Sequence, residues 1–265
     1  MDISNKVWIV TGAASGLGLA VVQALNSRTS ASGVSIALLD LNEEAGEQVA
    51  AQQKDAKFWR CDVGDEENVK AALKGVREHW KGKHWGGVVH CGGVGMAGKT
   101  VGNDGQPFSF DVFSEVHRIN LLGSFLIASN VATEIVSQHP PVSPAPEQDR
   151  GVIILTSSVS ATEGQMGQVA YGSSKAAVEG LTLPMARDLA RHGIRVMCLA
   201  PSLFSTAMGK NTSDRVRASL LKSTLYPPRF GESSEFASLA IQVIENGYLN
   251  GGVIRIDGGS RMSKM

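Results

Sequence analysis

The stretch Thr11-Gly-Ala-Ala-Ser-Gly-Leu-Gly18 limits what this chain can fold into more than any other. It stands between an apolar run, Lys6-Val-Trp-Ile-Val10, and a helical one, Leu19-Ala-Val-Val-Gln-Ala-Leu25. Strand, glycine turn and helix is the order it dictates. Glycines here let the backbone turn tightly and approach a diphosphate, and a helix N-terminus behind them offers unpaired N–H groups and partial positive charge. The spacing is G-x-x-x-G-x-G; on its own it says little, but between a strand and a helix it predicts a dinucleotide-binding turn.

The next apolar run, Val34-Ser-Ile-Ala-Leu-Leu-Asp40, ends in a carboxylate about twenty residues past the last glycine, where an acidic side chain hydrogen-bonds the adenosine ribose. A carboxylate there repels a 2′-phosphate, and Ala13, Ala14, Ser15 and Leu41 supply no base to bind one. The reading is NAD(H) rather than NADP(H). An Asp that caps a helix beginning near Glu43 is compatible with the same role.

Strand and helix then keep alternating. Ala56–Cys61, Trp85–Gly93, Gly151–Thr156, Ile194–Ala200 and Gly252–Asp257 read as further strands. Glu66–Trp80, about Phe110–Ser137, Tyr171 to about Arg191, and Ser233–Asn246 read as helices, with Pro184 expected to bend the third. Roughly seven near-continuous apolar strands between helices predict one α/β domain over residues 1–265, a doubly wound, Rossmann-type parallel sheet. Pro140, Pro141, Pro144 and Pro146 mark an exposed loop, and the long connection near 203–230 is a candidate substrate lid.

Charge and cysteine content narrow the function classes. Lys+Arg and Asp+Glu number 25 each, so no global field draws nucleic acid or an anionic membrane. No nucleic-acid partner and no membrane are expected, and no apolar run is read as reaching spanning length. Cys61, Cys91 and Cys198, an odd number in separate apolar surroundings, suit free thiols better than disulfides or a metal site.

The chemistry gathers at Thr156-Ser157-Ser158 and Tyr171-Gly-Ser-Ser-Lys175. Ligands of open α/β sheets bind at the carboxyl ends of strands, and Gly151–Thr156 delivers its serines there. On a helix, Tyr171 and Lys175 are four apart and share a face. A neighbouring ammonium favours phenolate, so Lys175 is expected to pull Tyr171 down from about 10 and make it a general acid/base. Asn120, polar in an apolar helix, fits a functional group or a satisfied core amide about equally well.

Taken in order and spacing, Thr11-Gly-x-x-x-Gly-x-Gly18, Asp62-Val63, Asn120, Ser158 and Tyr171-x-x-x-Lys175 resemble the short-chain dehydrogenase/reductase family, over essentially the whole chain. The resemblance implies that Tyr171 exchanges a proton with the substrate oxygen and that Lys175 lowers its pKa and holds the nicotinamide ribose. It implies further that Ser158 holds the substrate oxygen and Asn120 orders a water leading to solvent. It assigns NAD to Gly12, Ser15, Gly16, Leu17, Gly18, Asp40, Asp62, Val63, Cys91, Gly92, Gly93, Tyr171, Lys175, Pro201, Leu203 and Thr206. Substrate falls to Ser158, Gln165, Leu203 and Phe204, and no metal is implied. Gly164–Tyr171, Leu181–Leu189 and Ile244–Asp257 with Arg261-Met262 are similar to the subgroup of 3-hydroxyacyl-CoA dehydrogenases. That similarity implies an acyl-CoA or another secondary alcohol or ketone as small-molecule substrate. It also implies a homotetramer packed through the helices of Asn120 and Tyr171.

Two turns depart from the family pattern: His90-Cys-Gly-Gly93 stands for Asn-Asn-Ala-Gly, and Pro201-Ser202 for Pro-Gly. Neither removes a catalytic group. A ketone reductase or cyclisation catalyst on the same scaffold is a second enzyme reading, and a nucleotide-binding scaffold without turnover is the reading from another class. Ser263-Lys-Met265 is similar to the peroxisomal Ser-Lys-Leu address, against cytosol or mitochondrion, and no Arg-rich presequence is seen.

Overall fold

Seven strands pair side by side, all parallel, in the order β3-β2-β1-β4-β5-β6-β7. They are β1 (Val7–Thr11), β2 (Ser35–Asp40), β3 (Ala56–Arg60), β4 (Trp85–His90), β5 (Gly151–Thr156), β6 (Ile194–Pro201) and β7 (Val253–Ile256). Among the described residues the helices are α1 (Gly16–Ser27), α2 (Glu43–Ala51), α3 (Glu66–His79), α4 (Phe110–His117), α5 (Gly123–Ser137), α6 (Ser160–Glu163), α7 (Val169–Ala190) and α8 (Ser233–Glu245). The structure is a computed structural model that describes residues 1–28, 33–139, 149–206, 221 and 223–261. The proline-rich loop, most of the expected lid, Met262 and the C-terminal tripeptide lie outside the described residues.

The central strands are buried along their whole length, which explains why they read as unbroken apolar runs. Alternate residues nevertheless part to opposite faces. Trp8, Val10, Ile36, Leu38, Val152 and Ile154 pack with α1, α2 and α8, whereas Val7, Ile9, Ala37, Leu39, Ile153 and Leu155 pack with α3, α5 and α7. The sheet is doubly wound, as expected. Each such side chain taken from water contributes roughly 1.5–3 kcal/mol, so the sheet is a rigid platform.

Element boundaries follow local chemistry. Asp65 caps α3 by accepting from Asn68 N at 2.8 Å, with Glu66 and Glu67 in the first turn and Arg77 and His79 in the last, each sign matched to the helix dipole. α7 begins two residues before Tyr171 and runs unbroken through Pro184. The long helix expected at 110–137 is interrupted by a π-helical turn, Arg118–Leu122, between α4 and α5.

That same run corrects one expectation: Phe110–Ser137 is long and apolar enough, by length and composition, to cross a membrane. Half of its most apolar window is buried in the protein, with Ile127, Val131 and Ile135 against the sheet, so its apolarity is that of a core helix. The three cysteines are free.

Strand order reverses at β1, which has β2 on one side and β4 on the other. Sequence order and space separate there, leaving a crevice above the carboxyl ends of β1 and β4.

Candidate active site

Thr11, His90, Thr156 and Pro201 end β1, β4, β5 and β6, and a cleft of about 340 Å³ opens above them. Gly12, Ser15, Gly16, Leu17, Gly18, Asp40, Asp62, Val63, Cys91, Gly92, Gly93, Ser158, Tyr171, Lys175, Pro201, Phe204 and Thr206 line it. Leu39, Leu41, Cys61, Val94, Ile119 and Ser202 line it as well, and sequence reasoning did not pick them for the site. Their signal was available for Leu41 and Ile119, which directly adjoin Asp40 and Asn120.

The glycine turn is shaped for close approach. Gly12 is left-handed at φ +62°, and a Cβ there would lie 3.0 Å from the Cys91 carbonyl carbon; a Cβ on Gly18 would collide with Gly12 O. Ser15, the N-cap of α1, makes no capping bond, and no acid stands in the first turn. A hydroxyl, orphan N–H groups and the positive end of the helix therefore meet at one spot, which fits a diphosphate.

Asp40 ends β2 with Oδ2 accepting from Ala14 N and Oδ1 from Asn42 N, both at 3.0 Å. It is not the cap of α2: Asn42 is, accepting from Ala45 N at 3.1 Å. Two backbone donors hold the carboxylate at the cleft wall, where vicinal ribose hydroxyls fit it. Thr11 Oγ1 accepts from Gly92 N at 3.0 Å and shares a 2.8 Å hydrogen bond with His90 Nδ1. These bonds join the two turns across β1 and β4. The departure at His90 thus keeps a cross-strand tie through a different ring.

Asn120 sits in the π-turn, fully buried. Its Oδ1 accepts from Val94 N at 2.9 Å, and its Nδ2 donates to Val94 O at 2.9 Å and Ser174 Oγ at 3.0 Å. Its side chain is therefore a satisfied core amide. It still borders the chemistry, because a Cβ on Gly93 would lie 3.0 Å from Asn120 Oδ1 and 3.3 Å from Lys175 Nζ. Gly93 is wedged between the two.

Ser158 leaves β5 with its Oγ accepting from Ser160 N at 3.2 Å, and its side chain hydrogen-bonds Tyr171. Lys175 Nζ donates to Thr156 O at 2.9 Å and stands 5.8 Å from the Tyr171 ring centroid. Burial brings the Lys175 ammonium down to about 8, opposed by Cys198 and Cys91. Burial also raises Tyr171, and the Ser158 bond only partly offsets it. The expectation that Lys175 lowers Tyr171 is thus reversed in this structure: the phenol is desolvated, while the ammonium is committed to the Thr156 carbonyl.

Two expected residues lie elsewhere. Leu203 lines a separate cavity of about 110 Å³ with Gly231, Ile256 and Asp257. Its carbonyl accepts from Gly231 N at 2.9 Å while Ser205 N donates back to Gly231 O at 2.9 Å, which turns the segment to that side. Gln165 lines a groove of about 520 Å³ with Ser160, Met166 and Ser173, beside α7 rather than in the cleft. Phe204 reaches the cleft but is also core, edge-on to Phe236 at 6.3 Å.

A phenol, a hydroxyl and a buried amine converging on the same crevice as a diphosphate turn and a ribose carboxylate define an oxidoreductase of the doubly wound dinucleotide class. Residues 6–217 match the family model described as short chain dehydrogenase, and the chain belongs to that family, whose members use nicotinamide cofactors. It is 41% identical over 263 residues to 3-hydroxyacyl-CoA dehydrogenase type-2 of Bos taurus, covering 98% of this chain and 97% of that one. The Drosophila melanogaster protein of the same name is 42% identical over 262 residues, covering 98% and 99%. The crystal structure of 3-hydroxyacyl-CoA dehydrogenase type-2 from Mycobacterium avium superposes with a TM-score of 0.89 at 33% identity, covering 98% of each chain. This chain interconverts a secondary alcohol and a ketone.

Proposed function

We propose that the protein is an NAD(H)-dependent dehydrogenase acting at C3 of 3-hydroxyacyl or 3-ketoacyl-CoA. The observation that carries this reading is the convergence of Ser158, Tyr171 and Lys175 on the cleft that also holds Asp40 and the glycine turn. The relatives' shared name supplies the substrate class.

The chain's own groups divide the work. Ser15, Leu17 and Gly18 at the start of α1 would hold the diphosphate, Asp40 the adenosine ribose, and Asp62 with Val63 the base. Thr206 and Pro201 would border the nicotinamide, which when bound would supply the hydride donor or acceptor. Ser158 fixes the substrate oxygen by hydrogen bond. Tyr171 gives that oxygen a proton in reduction and takes it in oxidation. Lys175, held by the Thr156 carbonyl, would donate to the nicotinamide ribose. NAD is favoured over NADP because the Asp40 carboxylate would meet the ribose and, among the described residues, no Lys or Arg near it lines the cleft.

A homotetramer accords with apolar side chains left exposed on α4, α5 and α7: Phe110 is 78% exposed, Phe125 50% and Leu183 45%. Sedimentation at a single-subunit mass would count against that assembly.

The test is NADH-coupled reduction of acetoacetyl-CoA. The wild type turns over, and Tyr171→Phe, which keeps the ring and loses the proton, falls by roughly 10²–10⁴-fold. Absence of wild-type turnover removes the acyl-CoA reading. Equal rates remove the role of Tyr171.

A further inference from the structure

Arg118 opens the π-turn, and its guanidinium ties two carboxylates together. Nη1 and Nη2 donate to Asp62 Oδ1 and Oδ2 at 3.3 and 3.0 Å, and Nε and Nη2 donate to Glu115 Oε2 and Oε1 at 2.7 and 2.8 Å. Both arms are two-pronged, a geometry that fixes orientation as well as charge. Gly64 N adds a third donor to Asp62, at 2.9 Å to Oδ1. A Cβ on Gly64 would collide with Arg118 Nη1, so the guanidinium is seated where glycine leaves space for it.

Of these groups, Asp62 lines the cleft, together with Val63, Leu41 and Ile119, whereas Arg118 and Glu115 do not. The side chains of Arg118 and Asp62 are 32% and 28% exposed, so the pair contributes little to stability for its size. Its consequence is orientation. A carboxylate has about four lone-pair sites, and Gly64 N with two Arg118 nitrogens fills three of them. One acceptor site remains, on Oδ2, for a donor on a ligand.

We propose that Arg118 is a positioning residue that pins Asp62 as a reader of an amino group on the base of the bound dinucleotide, selecting an aminopurine over an oxopurine. This rests on the dinucleotide reading of the cleft. An adenine there would offer Asp62 an exocyclic N–H, whereas hypoxanthine would offer an oxygen that a pinned carboxylate repels. Without Arg118, the Asp62 side chain keeps one backbone tether and turns away, so the discrimination fades.

Dissociation constants of NADH and of its hypoxanthine analogue, measured by nucleotide fluorescence on the wild type, Arg118→Ala and Arg118→Lys, test this. The wild type should prefer NADH by roughly tenfold or more, and Arg118→Ala should bring the ratio to about threefold or less. Arg118→Lys keeps the charge without the fork and should fall between them, which guards against a misfolded alanine variant. An Arg118→Ala variant that weakens both nucleotides equally and keeps the ratio would make Arg118 merely structural and overturn the proposal. So would a wild type that binds both equally. A wild type that binds neither nucleotide fails the dinucleotide reading itself.

Discussion

His90→Asn should flatten the acid limb of the stability curve, and the size of the effect follows from where the imidazole sits. His90 is buried at the end of β4, its Nδ1 bonded to Thr11 Oγ1 and its Nε2 without a partner among the described residues. Burial first, and then the Lys175 charge, hold it at about 3 against an ordinary 6.5. The native state therefore refuses the proton that the unfolded chain accepts below 6.5. Stability is lost as pH falls from 6.5 towards 3. At pH 4.5 the unfolded imidazole is about 99% charged, which costs the native state about 2.7 kcal/mol, rising to about 4 kcal/mol at pH 3.5. Asparagine does not titrate and can still reach Thr11. Urea unfolding followed by tryptophan emission is a suitable assay, since Trp8 and Trp85 are fully buried. Both proteins are compared at equal protomer concentration, so that assembly cancels. From pH 7.5 to 4.5 the variant should gain about 2–3 kcal/mol on the wild type, by the same linkage. All other titrations are common to both. A stability gap that stays constant with pH would refute the reasoning, because it would mean that His90 takes up its proton as readily folded as unfolded.

Three further outcomes follow from single contacts. Asp40→Ala removes the carboxylate held by Ala14 N and Asn42 N, and the NADPH to NADH ratio of kcat/KM should rise at least about tenfold; an unchanged ratio would show that Asp40 does not meet the ribose. Gly93→Ala places a methyl 3.0 Å from Asn120 Oδ1 and 3.3 Å from Lys175 Nζ. Its kcat should drop by roughly 10- to 100-fold with the thermal midpoint nearly unchanged, and a wild-type kcat would mean that this wedge does not position Lys175. Arg195→Met removes an almost buried guanidinium and leaves Asp149 and the carbonyls of Val243, Ile244 and Leu249 without its bonds. It should cost about 3–5 kcal/mol in urea unfolding, and a loss under about 1 kcal/mol would show that the network is not structural.

The fold was legible because its signals are local and repeated. Val7–Thr11 and Gly151–Thr156 are buried on both faces, so their sequences are apolar up to the closing threonine and read as parallel strands without any partner being known. Leu203 and Gln165 fall outside the cleft for the opposite reason. Each leaves a regular element for a loop, where the side chain's direction is set by pairings such as Leu203 O with Gly231 N, 28 positions along the sequence and invisible to periodicity. Arg118 was missed because its partner Asp62 lies 56 residues away, on a different element.

Tyr171 and Lys175 show what a spacing rule can and cannot give. Their helical i, i+4 separation does bring both to one cleft, but the sign of a pKa shift depends on solvent exclusion and on where the ammonium points. Thr156 O, on the neighbouring strand, draws Nζ to 2.9 Å and away from the role that the spacing alone suggested. Gly93 and Asn120 close in from the other side. The sheet therefore sets the electrostatics of this pair as much as the helix does. The Lys175 ammonium, brought down to about 8 by that burial, is half neutral near the same pH at which it would otherwise be fully charged. The ammonium that shares the cleft with Tyr171 therefore loses its proton as pH rises through about 8, a titration that the tyrosine's own sequence neighbourhood places but does not tune.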